Sequence, residues 1–189
     1  MRITGGRFGG RVLVSPTDDR IRPTSDKVRQ AIFNVLLHRD LGDFHLDSAR
    51  VIDLFAGTGA LGLEAISLGA SYALFVEDGA EARALVRRNV EALGLTGATK
   101  IWRRDATSLG PVPAGAGGTF ALAFLDPPYR KGLLIPALAS LRGGGWLKEG
   151  AIAVAEAEKD LTASPPEGFT TVDDRTYGET RVLFFRLSE

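Results

Sequence analysis

The sequence predicts an α/β fold: a mostly parallel, doubly wound sheet whose last strand runs antiparallel. Three observations carry this. From residue 51 to about 157, apolar strand-like runs alternate with helical patterns, which implies parallel strands covered by helices on both faces. A glycine-rich turn, GTGALG, joins the first of these strands to the first helix that follows it, a position where such sheets bind ligands. The last two strand-like runs are separated only by a short GET turn, with no room for a crossover helix, so they should pair as an antiparallel hairpin at or near one edge.

The elements follow in order. RITGG and GRVLVSP read as two short strands around a glycine-rich turn, a small N-terminal β-hairpin extension. Residues 1–22 are read as a basic arm and residues 23–189 as the main domain. RPTSDKVRQAIFNVLL reads as a helix, with Thr24 or Ser25 as N-cap and Val28, Ala31, Ile32, Val35 and Leu36 on one face. VIDLF is a strand, GALGLEAISLG a helix ending at Gly69, and YALFVE a strand. AEARALVRRNVEALG is a helix ending at Gly94, and TKIWRR and FALAFL are strands. Residues 133–141 carry a helical period, with Pro136 suited to a first turn. AIAVAEA, FTTVDDRTY and RVLFFRL complete seven strands. The stretch LGPVPAGAGG, residues 109–118, has low complexity and is expected as a mobile surface loop.

The 189 residues suffice for one domain with a substantial core. There is no cysteine, which excludes disulfides, a thiolate nucleophile and a Cys-based metal site, and no metal is expected. No apolar run approaches the roughly 20 residues of a membrane span, and MRITGGRFGG lacks the apolar core of a signal peptide. A cytoplasmic enzyme or binding domain, with no membrane partner and monomeric, is the expectation. The net charge is zero but unevenly spread: residues 1–39 hold eight Lys or Arg against three Asp, a net +5. A basic arm on a mildly acidic body suits a polyanionic partner as well as a plain solvated surface.

Gly57-Thr58-Gly59-Ala60-Leu61-Gly62 fits GxGxxG between a strand and a helix, and Glu77 lies 20 residues after Gly57 at the end of the next strand. The pattern sets backbone N–H groups and a helix start beside a ligand, with a carboxylate placed for ribose hydroxyls. Alone it admits a dinucleotide dehydrogenase. Asp53, four residues before Gly57, shifts the balance. A carboxylate there would not help a pyrophosphate; it suits an ammonium or a sulfonium, and S-adenosylmethionine (SAM) carries both. Asp105 follows the third strand, so three acids stand at the carboxyl ends of successive strands. Glu77 is read as the ribose ligand, and Asp105, with backbone from Ala106, as the contact to the adenine amino group. Phe55 and Asp78, beside these positions, are counted with the cofactor contacts.

DPPY, Asp126 to Tyr129, ends the fourth strand on the same edge. An amine on a nucleobase is a poor nucleophile, because its lone pair is delocalised into the ring. The Asp126 carboxylate and the Pro127 carbonyl can accept both its hydrogens, favouring a geometry that aims the lone pair at a methyl donor. The prolines hold those acceptors rigidly, and Tyr129 offers a face for a flipped base. Pro128, Arg130 and Lys131 are placed at the substrate mouth, the cations as phosphate contacts. The competing reading is a capped turn with Asp126 as N-cap and Pro at the first helical position. Gly132 soon follows, and the better helical pattern starts only after it.

DLFAGTGALGLEA, the acid at 77, RDA at 104–106 and DPPY together resemble the class I SAM-dependent methyltransferases that modify exocyclic amines. RITGGRFGGRVL followed by RPTSDKVRQAIFNVL is similar to the N-terminal signature of the bacterial 16S rRNA guanine-N2 methyltransferases of the RsmD type; GGWL at 144–147 and YGETRV also look familial. The resemblance covers nearly the whole chain. It implies a seven-stranded Rossmann-like sheet and methylation of N2 of one guanine, the family's G966, in 16S rRNA within a small-subunit particle. Site roles then fall on Asp126, Pro127 and Tyr129, with SAM held by Asp53, Gly57, Gly59, Glu77 and Asp105, and with Arg7, Arg11 and Arg22 of the arm as RNA contacts. DPPY alone is shared with adenine-N6 methyltransferases of RNA or DNA, so that alternative stays open. A dedicated DNA-recognition domain, however, has little room in about 50 residues outside the core. An NAD-dependent oxidoreductase lacks a hydride-transfer constellation here, and a non-catalytic RNA-binding module would not need the acids.

Overall fold

The computed structural model describes residues 1–17, 24–162 and 164–188. Its centre is a sheet of β1 (Arg50–Leu54), β2 (Tyr72–Val76), β3 (Thr99–Trp102), β4 (Phe120–Leu125), β5 (Leu147–Glu158), β6 (Phe169–Tyr177) and β7 (Thr180–Leu187). The strand order is β3-β2-β1-β4-β5-β7-β6. Strands β1 to β5 are parallel, while β7 is antiparallel to both of its neighbours. The expected α/β sheet with a reversed last strand is therefore present. The last strand of the chain lies between β5 and β6 rather than at the edge.

Every side chain of β4 is buried, which explains its unbroken apolar run in place of an alternating one. Successive residues point to opposite faces. Val51, Phe75, Phe124, Val154 and Phe184 pack beneath α1 (Asp26–His38), α2 (Ala60–Ser67) and α3 (Ala80–Ala92). Ile52, Leu74, Ala123, Ala155 and Leu183 face α4 (Leu134–Gly143) and Trp146. Helix α1 is capped by Ser25, whose side chain accepts the Val28 N–H. Its core face is Ile32, Phe33, Val35 and Leu36, with Phe33 against the Phe124 ring; Val28 and Ala31 are only half-buried. Fully buried Arg29 shares that face, held by Asp26 at 2.8 Å and close to Glu64 of α2 at 3.8 Å.

The N-terminal segment pairs with itself less regularly than a hairpin. Residues Arg2 and Val12 form a single antiparallel bridge, and Ile3 N–H donates to Arg11 O at 2.9 Å, around a short 3-10 turn at Gly6–Phe8. Four glycines, Gly5, Gly6, Gly9 and Gly10, fill that turn region, and side-chain clamps to the helices beneath take the place of a ladder. Glu64 accepts the Thr4 N–H, Ser67 accepts the Phe8 N–H and donates to Gly5 O, and Asn89 brackets Val14. Ile3 and Leu13 are buried in the same core as α1 to α3. Residues 109–118, expected as a mobile loop, are tied down. Trp146 donates to Gly110 O at 2.8 Å, Arg50 donates to Ala116 O, and Leu109 and Ala116 are buried.

Candidate active site

The strand order reverses between β1 and β4, and the carboxyl ends of these two strands are adjacent: Leu54 pairs with Leu125. A crevice at such a switch point is the expected ligand site of an open α/β sheet. A cavity of about 480 Å³ opens there. Asp53, Phe55, Gly57, Glu77, Asp78, Asp126, Pro127, Pro128 and Tyr129 line it, together with Thr24, Ser25, Thr58, Glu156 and Thr180. A second cavity of about 340 Å³ adjoins it, sharing Phe55, Glu77, Asp78 and Pro128, and is lined further by Asp105, Ala106 and Lys131.

The glycine turn works by close approach. Gly59 caps α2 in the left-handed region at φ 79°. At Gly62 a Cβ would stand 2.5 Å from the Phe75 ring, so only glycine lets α2 press onto β2. That proximity carries the Gly62 N–H to Asp53 Oδ2 at 3.0 Å. Gly59 itself lines neither cavity; its role is the turn.

Asp53 is 1% exposed, and burial pushes its carboxyl well above the ordinary carboxylate range. The Gly62 N–H opposes that shift, while the charges of Glu77 and Glu156 add to it. A buried carboxylate under this load gains most from a cationic partner. Glu77 accepts the N–H of Gly57 and of Gly79, each at 3.0 Å, one with each oxygen. It thereby stitches the glycine turn to the start of α3, and each oxygen keeps a lone pair for a further donor such as a ribose hydroxyl. Asp105 is exposed, three residues beyond β3. Its Oδ1 accepts the Thr107 N–H at 2.8 Å and the Thr107 hydroxyl at 2.7 Å, which hold its carboxyl below the usual range. It stands in the second cavity with Ala106, so the two expected adenine contacts are together, one cavity along from Asp126.

DPPY lies outside any helix, since α4 begins only at Leu134. The capped-turn reading of Asp126 therefore fails. Pro127 is buried, Asp126 and Tyr129 are half-buried, and the Tyr129 hydroxyl is 3.2 Å from the Thr180 hydroxyl on β7. Thr24, before α1, reaches Asp126 at 3.2 Å and Glu156 at 2.6 Å. Thr24 and Glu156 were not singled out as site residues from the sequence. The signal for Glu156 is an acid at a buried position of an otherwise apolar strand. Arg130, at φ 63°, donates its backbone N–H to Glu158 and lines neither cavity; Lys131 borders the second.

The arm's cations stand apart from the cavities. Arg7 lies over the Phe8 ring beside the C-terminal end of α2, and Arg11 donates to Ala92 O at the C-terminal end of α3. Because α2 and α3 run back against the strands, these ends are at the opposite edge of the sheet from the cavity. Arg22 lies outside the described residues.

The strand order, the glycine turn and the acids at the strand ends are those of a class I SAM-dependent methyltransferase. The chain belongs to the family described as conserved hypothetical protein 95, which it matches over residues 1–186; this is the RsmD type. It is 36% identical over 159 residues to Ribosomal RNA small subunit methyltransferase D of Escherichia coli K12, covering 84% of this chain and 75% of that one. With the Bacillus subtilis protein YlbH it shares 33% identity over 187 residues and 98% of both chains. Among solved structures, Escherichia coli yhhF superposes with a TM-score of 0.83 at 27% identity, covering 100% of this chain and 98% of that one. An RNA methyltransferase of Salinibacter ruber in complex with S-adenosyl-L-homocysteine has the same fold, with a TM-score of 0.59 at 15% identity over 88% of this chain and 94% of that one.

Proposed function

We propose that the protein transfers a methyl group from SAM to the exocyclic N2 amine of a guanine in small-subunit rRNA, the family's G966, with the base turned out into the DPPY cavity. The observation that carries this reading is the placing of Asp126 and Tyr129 in one cavity with a buried Asp53. An amine acceptor and a stacking ring there face a carboxylate that favours a cation. The similarity to Ribosomal RNA small subunit methyltransferase D supports the rRNA class of substrate.

The residues fit SAM. Asp53 and the glycine turn meet its cationic amino acid end, Glu77 its ribose, and Asp105 with Ala106 its adenine in the second cavity. Phe55 and Asp78, which border both cavities, close around it. SAM supplies an electrophilic methyl on sulfur. Asp126 and the Pro127 carbonyl would accept the two amine hydrogens and turn the nitrogen lone pair toward that methyl; as the N–C bond formed and the methyl–sulfur bond broke to leave a neutral thioether, the surplus proton would pass to the Asp126 carboxylate. Tyr129 offers the base a face to stack on, a contact worth about 1–3 kcal/mol per stacked base, with Pro128 beside it at the cavity wall. Arg130 and Lys131 meet phosphates next to the flipped nucleotide. The arm of residues 1–22, through Arg7, Arg11 and Arg22, meets the RNA backbone farther off, which suits a large folded partner such as an rRNA in a cytoplasmic small-subunit particle. The protein acts there as a monomer. Among the described residues no helix is long and apolar enough to cross a membrane.

Labelled-methyl transfer to naked 16S rRNA, to assembled small subunits and to DNA, followed by mapping of the modified base, tests the reading. Label at guanine N2 of the rRNA is expected. Label at adenine N6, or in DNA alone, overturns the substrate assignment.

A further inference from the structure

Glu156 has no part in the chemistry above, yet it is built into the same cavity. It lies near the end of β5 and is 5% exposed. Ala155 pairs with Leu125, so Glu156 stands beside Asp126 across the β4–β5 boundary. By strand alternation it points to the side of Ile152 and Val154, beneath α1, where Thr24 waits. The Thr24 hydroxyl is 2.6 Å from Glu156 Oε1 and 3.2 Å from Asp126 Oδ2. A hydroxyl has one hydrogen to give, and the shorter contact places it on Glu156. Two carboxylates are thus set side by side at one hydroxyl, facing the space where the base must sit.

The Watson–Crick edge of guanine carries two adjacent donors, N1–H and the N2 amine. In adenine the atom next to the reactive amine, N1, is a bare lone pair. Paired carboxylates match the first edge. They oppose the second with a buried charge against a lone pair, which is rejection by repulsion as well as by a lost hydrogen bond. We propose that Glu156 selects guanine by accepting its N1–H while Asp126 holds the N2 amine, with Thr24 fixing the Glu156 rotamer; this rests on the guanine-N2 reading above.

The test uses the rRNA substrate with either guanine or 2-aminopurine at the target position. 2-Aminopurine keeps the reactive amine but has a bare N1. Wild-type protein should prefer guanine in kcat/KM by about a hundredfold or more, as sites built around a substrate N–H do. In Glu156→Gln, whose amide can donate to a bare N1, the preference should fall to less than about tenfold. SAM affinity by calorimetry should stay within about twofold of wild type. Thr24→Val, at a half-buried position just before α1, gives a second measurement and should lose part of the preference. Full discrimination retained in both variants overturns the proposal, and so does a fall in SAM affinity with discrimination intact. If the wild-type protein does not methylate guanine N2 at all, it is the underlying function that fails, and that result is read before either variant.

Discussion

Replacing Asn89 by alanine strips three hydrogen bonds from a side chain that is 1% exposed. Its Oδ1 accepts the Val14 N–H at 2.7 Å, and its Nδ2 donates to Val14 O at 3.2 Å and to Thr58 O at 2.9 Å. One residue of α3 therefore joins the N-terminal arm to the glycine turn. At roughly 1 kcal/mol net for each bond, and with the Thr58 carbonyl left buried, the loss of stability comes to about 3 kcal/mol. For a domain of this size that corresponds to a fall of about 6–12 °C in Tm. Equilibrium urea unfolding measures the free energy, and hydrogen exchange at the Val14 amide reports whether the arm has lifted. SAM affinity should fall as well, because the turn loses its anchor at Thr58. A loss below about 0.5 kcal/mol, or unchanged exchange at Val14, would refute the idea that buried polar clamps hold the arm.

Three further outcomes are expected. Asp126→Ala should keep SAM binding within a few-fold and lower methyl transfer by at least about a hundredfold, the scale of losing one group that acts in the transition state; unaltered turnover removes Asp126 from the mechanism. Asp53→Asn should weaken SAM binding while raising the Tm of the ligand-free protein at neutral pH. The sign follows from burial: a carboxyl raised in the folded state contributes stability below its unfolded value and loses it as pH rises through the folded value. The gain should therefore vanish in acid, and a Tm difference that grows on acidification contradicts it. Neutralising Arg7, Arg11 and Arg22 together should weaken rRNA binding and flatten the slope of log affinity against log salt by about 2; an unchanged slope in filter-binding assays removes the arm from the interface.

The sheet was legible because two-sided burial leaves continuous apolar runs such as FALAFL, and because helices between them carry a different period. The gathering of Asp53, Glu77 and Asp105 at one edge of the sheet was legible because they fall at or just beyond strand ends, and position in a parallel sheet is set by local spacing. What stayed hidden are partnerships across long stretches of chain. Arg29 with Glu64, Asn89 with Val14 and Thr58, and Thr24 with Glu156 are joined by packing alone, over as many as 132 residues. They nevertheless share a signal: each of Arg29, Glu64, Asn89 and Glu156 is a polar residue on an otherwise apolar face. Asp105 differs again. Its place beyond β3 could be read, but not that its carboxylate spends itself on Thr107 two residues on.

The position of β7 has a consequence for synthesis. Among the described residues, strand β6, made before β7, pairs with β7 alone, and β5 is paired by β7 on that side. Until residues 180–187 leave the ribosome, β5 presents an open edge carrying Ile152, Val154 and Glu156, and β6 has nowhere to dock. An exposed edge of this kind invites pairing with other chains. Thr180 and Glu156 also border the cavity, so the cavity gains its last wall only after β7 has been made.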